Sequence, residues 1–395
     1  MKTVLVIVEG ASDLPQKEFE GRTPLQRARC PVARRLALEG RCGLMGAVAS
    51  EQDRRPEFLL GALCGASLSD AAQLWRGPLE AEGSGLDTGA YRWACRANFV
   101  TMDDGVMRES RVQRMSMEET RLLCAAMQSD FDSKQLCVSA VAPSRAVVLL
   151  NPEGEDPVVA GNPAWLQAMD AESALPAGKK GAWVRDMLTR SAALLAGQTV
   201  NDVRIDLGEN PATHMWLWGG GRITKPTSFF GGRAARGVML TQSVMARGLA
   251  KHAGLRVIDM ESPWGVEDGD PVFDEKAFRV AVDHAETLVV YVEAPLEGAD
   301  FGPAVEKVRM LERLDIKLLG PLVALLEQTG PFRLLVTADN ASSPRYRDFG
   351  GTAPLVLWSG ALRGDGVEHF DEPSCAEGTL GIVKPEKVFE LLSGE

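Results

Sequence analysis

Three groups of acidic residues follow apolar segments that are typical of buried strands: "TVLVIV" (3–8), "TLVVYV" (287–292) and "RLLVTA" (333–338). The acids that follow these segments are Glu9 with Asp13, Glu293 with Glu297 and Asp300, and Asp339. Because the strands of an open α/β sheet end at a shared crevice, we expect these carboxylates to converge, and several oxygen ligands suit Mg²⁺ or Mn²⁺. The pattern fits a metal site, and it fits equally well a set of acids that cap helices and hold loops.

The elements that must position these acids alternate between strand-like and helix-like segments. Near the amino terminus, "TVLVIV" precedes "TPLQRARCPVARRLALEG", whose helical periodicity is interrupted at Pro31. Later helices are predicted over residues 241–254, 274–286, from about 303, and over 384–392, and strands over 255–260, 287–295, 332–339 and 353–360. This alternation predicts an α/β fold with a doubly wound, mostly parallel sheet.

The pattern changes between about residues 73 and 220. Strands are predicted over residues 95–102, 135–141 and 145–151, separated by glycine- and proline-containing loops and two helices. A capping box at Ser116 to Glu119 opens one of these helices. We interpret this part as a second α/β domain inserted into the first, with "NPATHMWLWGGGR" (210–222) as the returning linker and hinge.

The composition of the chain limits which partners and which cellular location can be expected. The 395 residues carry a formal charge of -11, which argues against nucleic acid or an anionic membrane surface as the main partner. Seven scattered cysteines without a CxxC pair indicate neither a disulfide framework nor a zinc site. The segment "MKTVLVIVEG" is typical of a core strand and lacks the features of a signal peptide. A cytoplasmic location is therefore predicted.

Several short sequence blocks, spread in order over nearly the whole chain, carry a resemblance to a known family. They are "VEGASD", "GRTPLQRARCP", "RGPLEA", "RANFVTMDDGVM", "NPATHMWLWGGGR", "RGVMLTQSVMARGLAKHAGLRVI", "VYVEAPLEGAD" and "RLLVTADN". Together these blocks resemble the archaeal-type, cofactor-independent (2,3-bisphosphoglycerate-independent) phosphoglycerate mutases of the alkaline phosphatase superfamily. The resemblance implies an alkaline-phosphatase-like metalloenzyme domain at residues 1–72 and 221–395, and an inserted substrate-gripping α/β domain at residues 73–220.

The resemblance also implies a reaction, and this chain departs from the residues that perform it. In the family, a serine at a helix start takes the phosphoryl group of 3-phosphoglycerate and returns it to give 2-phosphoglycerate, assisted by two Mn²⁺-type ions. Pro56 aligns with that serine, and Ser50 or Ser67 could replace it only after a shift of several residues. Leu296 aligns with a metal-binding aspartate. No catalytic residue is therefore predicted.

Some possible metal ligands and most of the family's anion-binding residues are better retained than the nucleophile. The remaining candidates for metal ligands are Glu9, Asp300, Asp339 and Asn340. The resemblance assigns substrate binding to Arg145, Arg222, Arg236, Asp103 and Asp104, and it aligns Arg114 with a family histidine. Arginine forks suit phosphate and carboxylate groups, although salt bridges at the surface or between domains would explain the arginines equally well.

Three functions stay open at this point. The first is a phosphoglycerate-mutase-like protein that has lost catalysis and binds an anionic phosphorylated metabolite or a protein partner. The second is an active metal-dependent phosphotransferase or phosphohydrolase that acts on a small hydroxy acid, as proposed for homoserine in some bacterial relatives, or on a phosphorylated metabolite. The third is a plain phosphoglycerate mutase. The expected cofactor is one divalent cation, Mg²⁺ or Mn²⁺, or none.

Overall fold

The computed structural model describes residues 1–47, 55–131, 135–152, 154–225, 229–230, 236–260, 274–293, 304–339, 341–343 and 348–394. The chain divides into two compact units. Unit one comprises residues 1–74 and 226–395, and unit two comprises residues 75–225. The corresponding boundaries in the sequence prediction lie at 72/73 and 220/221.

Fifteen strands are present in the described residues. They are β1 (Lys2–Val8), β2 (Arg41–Met45), β3 (Trp93–Asp103), β4 (Val106–Glu109), β5 (Leu136–Ala142), β6 (Arg145–Leu150), β7 (His214–Arg222), β8 (Gly237–Thr241), β9 (Arg256–Asp259), β10 (Thr287–Val292), β11 (Phe332–Ala338), β12 (Ala341–Ser343), β13 (Asp348–Gly351), β14 (Ala353–Ser359) and β15 (Gly381–Val383).

The α-helices of the described residues connect these strands. They are α1 (Pro24–Arg27), α2 (Pro31–Glu39), α3 (Pro56–Leu63), α4 (Leu68–Ala71), α5 (Arg76–Gly83), α6 (Met117–Gln128), α7 (Ala182–Leu195), α8 (Thr199–Asp206), α9 (Val244–Ala253), α10 (Glu275–His284), α11 (Ala304–Leu314), α12 (Gly320–Glu327), α13 (Glu372–Ala376) and α14 (Val388–Ser393). A π-helical turn, Asp315–Leu319, joins α11 to α12. None of the helices in the described residues is long and apolar enough to cross a membrane.

Unit one is built on an eight-stranded sheet with the order β15-β2-β14-β11-β1-β10-β8-β9. Strand β1 pairs in parallel with β10 on one side and with β11 on the other, and β8 and β9 continue the parallel order. Only β14 runs antiparallel to its two neighbours. The central position of β1 explains its unbroken apolar run, because a strand covered on both faces has no position that faces water. The predicted mostly parallel α/β sheet is confirmed.

Helices cover both faces of this sheet. On the face that carries Val4 and Val6, the apolar residues of α2, α10, α12 and the π-helical turn form one continuous core. On the opposite face, the Arg333 guanidinium donates to the carbonyl oxygen of Leu391 in α14. The doubly wound arrangement leaves the carboxyl ends of the parallel strands as the edge where polar side chains gather.

Unit two contains a smaller sheet in which antiparallel strands run in the order β4-β3-β6-β5, and β7 also pairs with β3. The capping box at Ser116 is confirmed, since the Ser116 side chain accepts from the Glu119 backbone and the Glu119 side chain accepts from the Ser116 backbone. The segment contains four α-helices, α5 to α8, within its described residues, and not the two predicted.

The predicted hinge at residues 210–222 is wrong. Most of this segment forms β7, which pairs with β3 from Arg222 opposite Trp93 to His214 opposite Val100. Trp216 is fully buried in an apolar cluster of unit two. Three successive glycines favoured a linker, but they serve close packing: a Cβ at Gly221 would lie 2.4 Å from the Trp75 ring. A glycine run in a strand can mark such a close approach.

Candidate functional site

The acidic residues at the carboxyl ends of β1 and β11 lie on one face of the unit-one sheet. Ile7 pairs with Tyr291 of β10 and with Thr337 of β11. Glu9 lies two residues after Ile7, and Asp339 lies two residues after Thr337. Side chains two positions apart on a strand share a face. Glu9, Asp339 and Tyr291 therefore project from the same face at the strand ends. We call this group the strand-end cluster.

Each carboxylate of the strand-end cluster already accepts a hydrogen bond from the protein. The Tyr291 hydroxyl donates to Glu9 Oε2 at 2.5 Å, and the Gly10 backbone N–H donates to Asp339 Oδ1 at 2.9 Å. Glu9 and Asp339 are each only 2% exposed. Gly10 has a φ of 71°, which a glycine adopts without strain, and this turn points its N–H at Asp339. The cluster is therefore preorganised by hydrogen bonds.

A serine and a glutamate extend the strand-end cluster along β8 and β10. Ser243 caps α9 by accepting from the Ala246 backbone, and its hydroxyl donates to Glu293 Oε1 at 2.5 Å. The Thr241 hydroxyl fixes the start of this turn, because it donates to the Tyr291 carbonyl oxygen and accepts from the Ser243 N–H. The arrangement combines a helix cap with a buried hydroxyl beside a carboxylate.

The loop that follows β1 holds a buried ion pair and a buried glutamate. Lys307 Nζ donates to Asp13 Oδ2 at 2.7 Å and to the Ser12 carbonyl oxygen at 3.2 Å. Glu372 accepts hydrogen bonds from the hydroxyls of Ser12 and Thr23 and from the Asp13 N–H. Burial raises the pKa of Glu372, and these hydrogen bonds offset the rise only in part. Asp13 and Glu372 therefore hold the loop, as one of the two sequence interpretations expects.

The residues present fit a divalent cation poorly within the described part of the chain. Two of the four predicted oxygen ligands, Asp300 and Asn340, lie outside it, as does Leu296. Glu9 and Asp339 each have an oxygen engaged by an internal donor. No group of three or more His, Cys, Asp or Glu side chains in the described residues could hold a metal ion. We therefore derive no chemical step through a metal.

Pro56, which aligns with the family's nucleophilic serine, is the first residue of α3. The position suits proline, because the first helical N–H has no partner in the helix. Arg55 precedes it, and its guanidinium donates to the Leu74 and Ala72 carbonyl oxygens at 2.6 and 3.3 Å. Ser50 lies outside the described residues, and Ser67 caps α4 by accepting from the Asp70 backbone. The start of α3 thus has no hydroxyl of its own to offer.

The residues predicted to bind substrate in unit two do not form one cluster. Arg222 is at the end of β7, opposite Trp93, and pairs with Asp156 at 2.5 Å. Asp103 is at the far end of β3, which separates it from Arg222 by roughly 30 Å at 3.3 Å per residue. Asp103 pairs with Arg108, and Asp104 occupies the following turn with a φ of 47°.

Arg145 begins β6 opposite Asn98 of β3, beside a buried polar group that the sequence did not reveal. We call this group the arginine cluster; its members are Arg76, Glu80, Arg96, Asn98 and Trp218. Glu80 Oε1 lies 2.9 Å from Arg96 Nη1 and 3.6 Å from Arg76 Nη1. Both guanidinium groups lie over the Trp218 ring, at 5.6 Å for Arg76 and 4.9 Å for Arg96.

The Asn98 side chain completes the arginine cluster by accepting from Arg96 Nε and Trp218 Nε1, both at 3.1 Å. All five members are less than 9% exposed, which is rare for arginine and glutamate unless they are paired. Arg96 was detectable in principle, because it is a charged residue inside the apolar strand "CRANFV". Charge in a buried strand indicates a specific partner.

Two further residues singled out by the sequence, Arg236 and Arg114, occupy a surface ion pair and a turn. Arg236 pairs with Glu286, and both side chains are more than half exposed, at 68% and 63%. Arg114, aligned with a family histidine, has a φ of 53° in the turn before α6. Nothing in their surroundings distinguishes these residues from surface ion pairs and turn positions.

Comparisons with known proteins agree with this architecture. The fold is that of a mostly parallel α/β protein, and two solved structures match it over the whole chain. A protein of Pyrococcus horikoshii aligns with a TM-score of 0.73 at 19% identity, covering 100% of this chain and 96% of its own. The cofactor-independent phosphoglycerate mutase from Thermoplasma acidophilum aligns with a TM-score of 0.56 at 25% identity, covering 100% and 99%.

Sequence relatives point to the same family. The family model of 2,3-bisphosphoglycerate-independent phosphoglycerate mutase matches residues 37–201. A mutase of that name from Methanothrix thermoacetophila is 28% identical over 99% of both chains, and a probable one from Geobacter sulfurreducens is 27% identical over 99% of both. The resemblance to the archaeal-type, cofactor-independent phosphoglycerate mutases is confirmed.

Proposed function

We propose that this chain is a phosphoglycerate-mutase-like protein that binds a small phosphorylated carboxylate and does not run the phosphoserine reaction of the family. The observation that carries the proposal is Pro56 at the first position of α3, since proline has no hydroxyl to accept a phosphoryl group. The hydrogen bond from Tyr291 to Glu9 supports it, because a cation bound through Glu9 Oε2 would have to displace the phenol.

The ligand would be held by unit two, the proposed substrate-gripping domain. The arginine cluster supports this assignment, because two guanidinium groups share one carboxylate of Glu80 and are preorganised by Asn98 and Trp218. Guanidinium forks favour phosphate and carboxylate, and burial strengthens the attraction. Arg145 would contribute from β6, next to Asn98. Arg222, Asp103 and Asp104 would belong to other parts of the surface.

An anionic metabolite is proposed as the partner because of the arginine cluster and Arg145. A nucleic acid or a membrane is not, because the formal charge of the chain is -11. We place the protein in the cytoplasm because its seven scattered cysteines indicate no disulfide framework, and a protein partner remains part of the proposal.

The alternative function is an active phosphotransferase or phosphohydrolase, a phosphoglycerate mutase or a homoserine-kinase-like enzyme, that acts on a small hydroxy acid or phosphorylated metabolite with a divalent cation. The observation that favours it is full-length similarity, since relatives named as phosphoglycerate mutases match 99% of this chain.

One assay tests whether the chain runs the reaction of the family. Conversion of 3-phosphoglycerate to 2-phosphoglycerate is followed with and without Mn²⁺ and with a chelator. The proposal expects no conversion above background under any of these conditions. Conversion that Mn²⁺ supports and the chelator abolishes would overturn the proposal and establish the mutase form of the alternative.

Binding is tested separately by calorimetric titration with 3-phosphoglycerate. Arg145→Ala is expected to weaken binding about tenfold, as for loss of a hydrogen bond to a charged group. Arg121→Ala is the matched control, because Arg121 is 62% exposed in α6 and is expected to leave binding unchanged. Equal affinities of the Arg145 variant and the wild type would rule out the proposed site.

A further inference from the structure

The Tyr291 hydroxyl and the Glu9 carboxylate form a hydrogen bond that solvent does not reach. Tyr291 is 0% exposed and Glu9 is 2% exposed, and the donor and acceptor oxygens are 2.5 Å apart. The backbone supports this geometry, because the Glu9 N–H donates to the Val292 carbonyl oxygen at 2.7 Å. Strand register places Tyr291 beside Ile7, two residues before Glu9.

This geometry sets an energetic condition on cation binding. A cation that used Glu9 Oε2 would have to displace the phenol, which would leave a buried hydroxyl without its acceptor. A buried polar group that loses its partner is costly, and more so where the partner is charged. Asp339 Oδ1 also accepts a hydrogen bond, from the Gly10 N–H, but carboxylates that hold a metal commonly accept such a bond as well. The competition with a metal is therefore specific to Glu9.

We infer that Tyr291 is a positioning residue that occupies Glu9 in place of a cation, so that the phenol keeps divalent ions from binding at the end of β1. The phenol donates a hydrogen bond to Glu9 Oε2. A metal ion would instead accept an electron pair from that same oxygen. Tyr291 would therefore decide the cation affinity of this sheet edge. The inference concerns binding alone and stands whether or not the chain turns over a substrate.

The experiment measures Mn²⁺ binding to the purified full chain by electron paramagnetic resonance of free Mn²⁺. Tyr291→Phe removes only the hydroxyl and is expected to bind Mn²⁺ at least about tenfold more tightly than the wild type. Tyr91→Phe is the matched control, because Tyr91 lies in unit two, partly buried, and is expected to match the wild type. The double variant with Glu9→Gln and Tyr291→Phe is expected to lose the gain.

A second variant covers the case in which Tyr291→Phe fails to fold. Glu9→Asp keeps the charge and the phenol but shortens the side chain by one methylene group, which breaks the 2.5 Å contact. It is expected to gain Mn²⁺ affinity as well. Folded variants that bind Mn²⁺ no more tightly than the wild type would overturn the inference. A gain that persists in the Glu9→Gln double variant would also overturn it, because Glu9 would then not be the ligand.

Discussion

Lys307 Nζ lies 2.7 Å from Asp13 Oδ2, and the two side chains are only 1% and 2% exposed. The ammonium group also donates to the Ser12 carbonyl oxygen, and the Gln16 amide donates to the same Asp13 oxygen. This ion pair ties α11 to the loop that follows β1. A buried pair of this kind is expensive to break, because the remaining charge has no water to replace its partner.

Lys307→Met is therefore expected to destabilise the chain by about 3–5 kcal/mol in urea unfolding. Lys387→Met is the control, because Lys387 pairs with Glu390 at the surface, where the side chains are 58% and 49% exposed. It is expected to change stability by less than about 1 kcal/mol. Adding Asp13→Leu to Lys307→Met should restore part of the loss, and equal losses in the two lysine variants would contradict the expectation.

Glu119 is expected to give the chain a measurable acid dependence. Partial burial raises the pKa of Glu119, but hydrogen bonds from Ser116 and Arg204 more than offset this and hold it below its usual value. The stability that this carboxylate contributes is then present above its unfolded pKa and is lost as the pH falls through the lower folded pKa.

Glu119→Gln should remove that part of the acid dependence, seen as a smaller loss of unfolding free energy between about pH 5 and pH 3. The contribution is expected to be below about 1 kcal/mol, because water still screens the carboxylate in part. Glu118→Gln provides the comparison, since the Glu118 side chain is 72% exposed and pairs only loosely with Arg121. Identical pH profiles for the two variants would refute the assignment.

Asp315 caps a helix that is distant in sequence. Its two carboxylate oxygens accept from the Val32 and Ala33 N–H groups, at 2.9 and 2.7 Å, at the start of α2. Asp315→Ala is expected to cost about 1–2 kcal/mol, because the cap is lost and two donors are left unpaired. Asp283→Ala, at an exposed position of α10, is expected to be nearly neutral. Thermal unfolding of the two variants measures the difference.

The same carboxyl predicts a pH dependence of opposite sign to that of Glu119. Burial raises the pKa of Asp315, and the two backbone donors offset the rise only in part. The folded chain therefore binds this proton more tightly than the unfolded chain, and stability falls as the pH rises from the unfolded pKa through the folded one. Asp315→Asn should abolish this dependence, and an unchanged pH profile would contradict it.

Gly77 is required where α5 crosses β3. A Cβ at Gly77 would lie 2.4 Å from Cys95 Cα and 2.8 Å from the Ala94 carbonyl oxygen, and backbone cannot yield as a side chain can. Gly77→Ala is expected to destabilise the chain by about 1–3 kcal/mol, the usual cost of overpacking. A Cβ at Gly197 would meet no atom within 4 Å, so Gly197→Ala should change stability by less than about 1 kcal/mol. Chemical denaturation of both variants decides the point.

The sheet of unit one could be predicted because its central strands are apolar over their whole length. "TVLVIV" and "TLVVYV" are buried on both faces, so periodicity alone indicated β1 and β10. Strand β2 was missed, since "RCGLM" is short and contains Gly43, whose added Cβ would lie 2.6 Å from the Gly381 carbonyl oxygen. Its strand character comes from its neighbours β14 and β15 and not from its own residues.

The candidate site was predictable only in outline. The positions of Glu9 and Asp339 at the ends of predicted strands indicated that they would lie close together, because parallel strands bring their carboxyl ends to one edge of the sheet. The hydrogen-bond partners of these acids could not be predicted, since Tyr291 and Gly10 reach them through strand register and turn geometry. The arginine cluster could not be predicted either, because its contacts also depend on the tertiary structure. Glu80 and Arg96 come from a helix and a strand whose approach depends on the whole fold of unit two.

The central place of β1 also dictates an order of assembly during synthesis. Strand β1 leaves the ribosome long before β10 and β11, the strands with which it pairs. At about 5–20 residues per second, β1 waits tens of seconds for its neighbours, whereas residues 75–225 emerge as one contiguous unit. Residues 75–225 can therefore complete their contacts before unit one does, whereas the apolar segment "TVLVIV" has no strand partners until residues 287–338 have been synthesised.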